Sequence, residues 1–393
     1  MIDEYIPQML PPKMRMVWEQ AFTRRLREAD EEAAERTRGW LLESLGIPQR
    51  HIVESQASRK LWRDLASLRD IVHRAALNED ALFELIGMWG ARAMARRYKS
   101  TVADQLSGES PATDYERYED VMLRGVVNSL LKRGPLVLVE LGSGVGRILL
   151  QYASCLATSR RAARQYRKAF PDMYAPSSVR HSDRLMMLLG VDFEARMLQS
   201  SSAWLRQTEL YSEVERGLVC QVLGSVQYSP LGKNHDMFGG AAKLVCILFQ
   251  TIGNQLKRAH RIRMVEQAWD LAQPHGVVLV SAFNGEAFDH VGVPYYKSIQ
   301  ASVGRGIYAR NATFLSERGI YSKWMLPQEL QDVCARGGME DALILSDMSL
   351  AVFPGFERYI PAKVQAQSRQ RSLVAVGATN TELLEIIRGA LCV

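Results

Sequence analysis

The chain has 393 residues, 47% hydrophobic and 23% charged, an ordinary globular mixture that excludes wholesale disorder and leaves room for more than one domain. A net charge of +6 is mild over this length, so composition alone names no polyanionic partner. Cys155, Cys220, Cys246, Cys334 and Cys392 are scattered and offer neither a disulfide framework nor a metal knuckle, the first residues lack an apolar signal segment, and no apolar run is long enough to span a bilayer. The expectation is a cytoplasmic protein with no membrane association.

Residues 1–133 read as almost wholly helical. Phe22, Leu26, Leu41, Leu42 and Leu45 fall at helical spacing in a long charged stretch that Gly46 and Pro48 end. Two further amphipathic stretches follow, and the loop at 107–114 separates them from a last helix, DYERYEDVMLRGVVNSLLKRG, stopped by Gly134-Pro135. Arginines clump at Arg92, Arg96 and Arg97, and again at Arg160, Arg161, Arg164 and Arg167; both clumps read first as solvated helix faces.

From residue 134 the pattern changes. LVLVEL (136–141), MMLLGVD (186–192), GLVCQVLG (217–224), KLVCILFQ (243–250) and GVVLVSAFN (276–284) are short apolar runs separated by helix-like pieces. LPQELQDVCARGG adds a helix, and DALILSDM and SLVAVGAT read as late strands. Near-continuous apolar strands alternating with amphipathic helices predict an α/β fold: a Rossmann-like, doubly wound, mostly parallel sheet at 134–393, behind a helical N-terminal extension at 1–133. The extension is expected to act as a cap, a lid or an oligomerisation element. An arginine-rich insertion is expected at about 157–185.

The most informative segment leaves the first strand as Glu140-Leu-Gly142-Ser143-Gly144-Val-Gly146-Arg147 and opens a helix. Glycines let the backbone turn sharply, and free N–H groups at a helix start favour an anionic group. A dinucleotide fingerprint read from Gly142 would put Arg147 where a small residue belongs, and no Walker loop fits. What stands is an acid two residues ahead of three alternating glycines.

This segment resembles motif I of the class I S-adenosylmethionine-dependent methyltransferases. The resemblance implies that Gly142, Ser143, Gly144 and Gly146 pack against the methionine part of the cofactor and that Glu140 organises its amino end. Asp192, closing the second strand, then matches the acid that accepts from both ribose hydroxyls, a task suited to an acceptor-only carboxylate. It lies 46 positions after Gly146 where about 20 is usual, the excess being the arginine-rich stretch. Ser225 or Gln227 stands where many relatives place an acid toward the adenine. Phe249 and Gln250 end the fourth strand, and the TIGN segment after them is similar to that of amino-acid N-methyltransferases, which makes Asn254 the best substrate residue; a helix N-cap is its other role.

Beyond the fifth strand, His290, Tyr295 and Tyr296 stand in a glycine-punctuated loop where the substrate crevice of such sheets lies. Tyr115 and Tyr118 are candidate lid residues. Ser322, Trp324, Pro327, Glu329 and Leu330 match a helix start common in small-molecule methyltransferases. The seven histidines lack ligand spacing, so no metal is expected. The resemblance covers roughly 134–380. It implies S-adenosyl-L-methionine as cofactor, S-adenosyl-L-homocysteine as product and in-line methyl transfer to a small molecule, at nitrogen. Two alternatives stand beside it: an RNA or protein methyltransferase using the basic insertion, and a cofactor-binding regulator without catalysis. The oligomeric state, a homodimer included, stays open.

Overall fold

The computed structural model describes residues 114–156, 184–192, 219–223, 241–255, 257–309, 311–316, 320–346 and 372–391, with residues 197, 201 and 226. The helices expected before residue 114, Ser225 and Gln227, and nearly all of the basic insertion lie outside the described residues.

Helix α1 (Asp114–Arg133) leads into strand β1 (Leu136–Leu141), and helix α2 (Arg147–Leu156) leaves it. Strands β2 (Leu185–Asp192), β3 (Val219–Leu223), β4 (Ala242–Ile247) and β5 (Gly276–Phe283) follow, with helix α3 (Arg258–Ala272) between the last two. Short elements come next: helices α4 (Val293–Ser298) and α5 (Gln300–Val303), then strands β6 (Gly306–Ala309), β7 (Thr313–Ser316) and β8 (Tyr321–Lys323). Helix α6 (Pro327–Arg336), strands β9 (Leu343–Ser346) and β10 (Ser372–Ala378) and helix α7 (Thr381–Leu391) close the chain.

The main sheet has seven strands in the order β3-β2-β1-β4-β5-β10-β9. Neighbours from β3 to β5 pair in parallel, and β10 alone runs against them, antiparallel to both β5 and β9. This is the doubly wound, mostly parallel sheet read from the apolar runs. Its strands alternate between two cores. Leu136 and Leu138 join Met122, Val126, Leu130, Ile148 and Ile387 on the face covered by α1, α2 and α7. Val137, Val139 and Leu141 join Met264, Ala268, Leu330 and Val333 under α3 and α6. Both faces being covered, β1 is buried at every position.

Two features were not read from the sequence. Apolar contact runs across the boundary drawn at residue 133, because Gly134-Pro135 turns the chain tightly and α1 folds back with Met122, Leu123, Val126, Val127, Leu130 and Leu131 all fully buried. The stretch read as a glycine-punctuated loop is a correction: Gly285–Ala287 forms a 3-10 turn, Phe288–Gly292 a π turn, and α4 and α5 follow directly. These pack on the small antiparallel sheet β6-β7-β8 around Phe288, Tyr296, Phe314 and Trp324. Ring contacts between residues far apart in sequence hold this unit, so no local period announces it.

Among the described residues no helix is long and apolar enough to cross a membrane, and no group of three or more His, Cys, Asp or Glu could hold a metal ion.

Candidate functional site

The chain connection reverses direction between β1 and β4, and the crevice at the carboxyl ends of parallel strands at such a switch point is where ligands bind. The glycine turn occupies that place. Gly142, Gly144 and Gly146 adopt φ of +79°, +54° and +78°, the left-handed region that glycine tolerates best. Gly142 N and Ser143 N both donate to Val191 O, at 2.7 and 3.0 Å, tying the turn to the end of β2. A Cβ at Gly142 would collide with the Thr251 side chain, and one at Gly146 with Ser201 Oγ. The first and third glycines are therefore required by the protein's own packing.

Glu140 and Asp192 end adjacent strands, both buried. Asp192 Oδ2 accepts from Gly144 N at 2.7 Å, so this acid clamps the turn from the neighbouring strand. Glu140 differs, because its Oε2 has no hydrogen-bond partner among the described residues. Two hydroxyls beside the turn, Ser143 Oγ and Ser201 Oγ, are likewise buried and unpartnered. Native proteins leave few such groups, and a cluster of them on one turn fits a polar ligand that completes their bonding.

The acids of α1 were missed by the sequence reading and form the centre of the site. Arg147, the first residue of α2, bonds Glu119 Oε2, and its other terminal nitrogen reaches Asp120 Oδ1 at 2.8 Å. Glu119 Oε1 accepts from Phe249 N at 2.6 Å and from Ser281 Oγ. One carboxylate thus joins α1, α2, the end of β4 and β5. The Phe249 ring lies 5.9 Å from the guanidinium carbon of Arg147. The arginine that spoils a dinucleotide fingerprint is here a buried ion-pair hub. Its partners lie upstream of the motif, where no spacing rule would look.

Burial pushes the Glu140 carboxyl well above the usual carboxylate range; Arg147 opposes that rise, and the Glu119, Asp192 and Asp120 carboxylates add to it. Burial raises Glu119 too, with Arg147, Ser281 and Phe249 N pulling it back. A carboxyl raised on folding contributes stability that is complete below its unfolded value and is lost as pH rises through its folded one. Glu140→Gln removes that loss. Thermal unfolding is expected to give nearly equal midpoints for variant and parent at about pH 4 and a variant advantage at about pH 9, growing by at most about 1.4 kcal/mol per pH unit.

The end of β4 is rigidly built. Phe249 and Gln250 take positive φ of 51° and 62°. The Gln250 amide is fully used inside the protein: Oε1 accepts from Phe283 N at 2.6 Å and Nε2 donates to Lys323 O at 2.7 Å. Gln250 therefore shapes the crevice by bridging β4, β5 and β8. The TIGN segment is one turn of 3-10 helix, Thr251–Asn254. The N-cap of α3 is Lys257, which removes the capping role from Asn254. Asn254 is half-buried and its side chain makes no hydrogen bond within the described residues.

The remaining candidates separate. Tyr295 is 46% exposed and His290 is exposed in the π turn. Tyr296 is a core residue rather than a crevice wall: its ring stacks on Phe314 at 3.9 Å between centroids, its hydroxyl accepts from Trp324 Nε1 at 3.1 Å, and burial drives its phenol far up. The helix start at Leu326 is closed by Glu329, which accepts from the Leu326 N–H at 2.9 Å and pairs with Lys323 at 2.8 Å. Tyr115 and Tyr118 lie on α1, with side chains outside the described set.

No protein-family model matches the sequence, and no curated protein matches it. Solved structures do overlap with the chain. The CcbJ methyltransferase from Streptomyces caelestis is 16% identical, with 64% of this chain and 93% of that one covered, at a TM-score of 0.35. A 1,6-didemethyltoxoflavin-N1-methyltransferase from Burkholderia thailandensis is 12% identical over 74% of this chain and 88% of that one, also at 0.35. A Bordetella parapertussis structure described as a possible exported protein is 10% identical over 89% and 97%, at 0.43. The fold assignment stands on the chain's own strand order, not on these partial overlaps.

Proposed function

We propose that the protein is an S-adenosylmethionine-dependent methyltransferase acting on a small molecule, at a nitrogen. The observation that carries this reading is the pair of buried acids Glu140 and Asp192 on adjacent strand tips, flanking a glycine turn with unpartnered polar atoms at the switch point of the sheet. Glu140 and Ser143 would hold the methionine end of the cofactor and Asp192 the ribose. When bound, the cofactor's sulfonium supplies an activated methyl group.

The chain's own work is then positional. Glu119 fixes Phe249, and Gln250 fixes the turn that presents Asn254. The Asn254 side-chain amide, which makes no hydrogen bond among the described residues, orients the acceptor amine, which attacks in its unprotonated form, so no strong base is needed at the reacting nitrogen. Tyr295 and His290 stand on the surface of the unit beyond β5, where an acceptor would be sorted; Tyr296 supports that unit from inside.

Incubation with methyl-labelled S-adenosylmethionine and a panel of small amines, alcohols and RNA is expected to label a small amine. Label confined to RNA or protein would favour the polymeric acceptor instead. With the labelled acceptor in hand, Asn254→Ala should lower kcat at least about tenfold and leave cofactor affinity unchanged, as loss of an orienting contact does. Steady-state kinetics together with cofactor titration make that comparison.

A further inference from the structure

Among the described residues, the glycine turn is surrounded by more acid than base. Glu119 and Asp120 on α1, Glu140 on β1 and Asp192 on β2 are all buried, and among the described residues Arg147 on α2 is the cation that faces Glu140. Cys246 on β4 is a further titratable neighbour among the described residues, and burial with the nearby Glu140 and Glu119 carboxylates holds it as a neutral thiol. The four carboxylates do not share Arg147 equally. Both of its terminal nitrogens are taken by Glu119 and Asp120, and Asp192 has the Gly144 amide. Glu140 is 5% exposed, and its Oε2 has no hydrogen-bond donor among the described residues. Holding a fourth negative charge there with one positive charge nearby is costly, since an uncompensated buried ion is the least favourable arrangement of all.

We propose that Glu140 carries a proton in the ligand-free protein and releases it to solvent when a ligand bearing an ammonium group occupies the glycine turn, so that the turn selects ligands by charge at their amino end and binds them more tightly as pH rises. The inference rests on the proposed function, because it takes the ligand to be the cofactor of that reading. It adds that binding is coupled to proton release, and it names the group that loses the proton. Geometry supports it in two ways. The unpartnered, buried Oε2 is the acceptor that an incoming N–H donor would meet, while the Arg147 terminal nitrogens bond Glu119 and Asp120. The balance is simple: a neutral carboxylic acid and an ammonium become a carboxylate–ammonium pair, and one proton goes to the buffer. The sign follows. While the ligand's amino group still carries its proton, below about pH 7.7, each unit of pH raises affinity by up to about tenfold where Glu140 is protonated and leaves it flat where Glu140 is already ionised in the free protein.

The test is calorimetric titration of the full chain with S-adenosylmethionine and with 5′-methylthioadenosine, which lacks the amino-acid end. Each is run in phosphate and in imidazole at about pH 6, 6.5 and 7, below the titration of the ligand's own amino group. S-adenosylmethionine is expected to show heats that differ between buffers, corresponding to release of a fraction of a proton approaching one at the lowest pH. Methylthioadenosine is expected to bind with equal heats. Glu140→Gln, which keeps the shape, is expected to bind S-adenosylmethionine with no proton exchanged and no slope against pH. Binding of S-adenosylmethionine by the parent with equal heats and constant affinity would overturn the inference and leave the methyltransferase reading standing. Proton release that persists in Glu140→Gln would overturn the assignment to Glu140. Absence of binding by both ligands would overturn the proposed function itself, and this inference with it.

Discussion

Glu119→Ala is expected to lower the stability of the ligand-free chain by about 3–5 kcal/mol, the cost of removing one partner from a buried ion pair. Glu119 is fully buried and carries three bonds, from Arg147, Phe249 N and Ser281 Oγ. Alanine takes an acceptor away from the Phe249 amide and from the Ser281 hydroxyl, and removes one of the two carboxylates that bond the Arg147 guanidinium. Because Phe249 already holds a positive φ of 51°, loss of its anchor should also loosen the segment that leads to Asn254. Glu119→Gln keeps the shape and an acceptor but not the charge, so its cost should fall nearer about 1–3 kcal/mol. Urea unfolding of both variants measures this. A loss under about 1 kcal/mol for alanine would mean that the hub does not support the fold in the way its bonding indicates.

Asp192→Ala is expected to weaken cofactor binding by about tenfold to a hundredfold, or about 1.4–2.8 kcal/mol. Two effects add. The acceptor proposed for the ribose hydroxyls is lost, and Gly144 N loses its partner at 2.7 Å, which frees the turn to rearrange. Asp192→Asn separates them, since the amide oxygen can still accept from Gly144 N while the charge is gone. Its loss is therefore expected to be smaller than that of alanine. Equal affinities for parent and alanine variant would move the ribose contact to another residue.

Most of the sheet was legible because each strand is a short apolar run flanked by polar or glycine-containing segments. LVLVEL became β1 residue for residue, as both faces of that strand meet apolar layers. The glycine turn was legible for a related reason, since an acid and alternating glycines at a strand end leave few conformations open. The small sheet β6-β7-β8 was not. Its strands are three or four residues long, too short for an alternation to register. Tyr296 read as a crevice residue because a tyrosine pair in a loop says nothing of which ring turns inward.

The acids of α1 mark the deeper limit. Glu119 and Asp120 look like solvent-facing charges in an amphipathic helix, and only the packing of α1 against the end of β4 and against β5 brings them to Arg147. Arg147 itself was noticed, but as a misfit in a fingerprint. Its burial explains the misfit: the position after the third glycine holds an ion pair instead of a close helix–strand contact. Asn254 shows the converse, a residue with two readings in sequence, one of which the start of α3 at Arg258 removes.

The central claim is that the crevice between β1 and β4 holds S-adenosylmethionine, and equilibrium dialysis of the labelled cofactor against the full chain tests it most directly. The account predicts saturable binding at one site per chain, competed by S-adenosylhomocysteine and weakened in Asp192→Ala; a chain that retains neither compound at concentrations up to about 1 mM would contradict it.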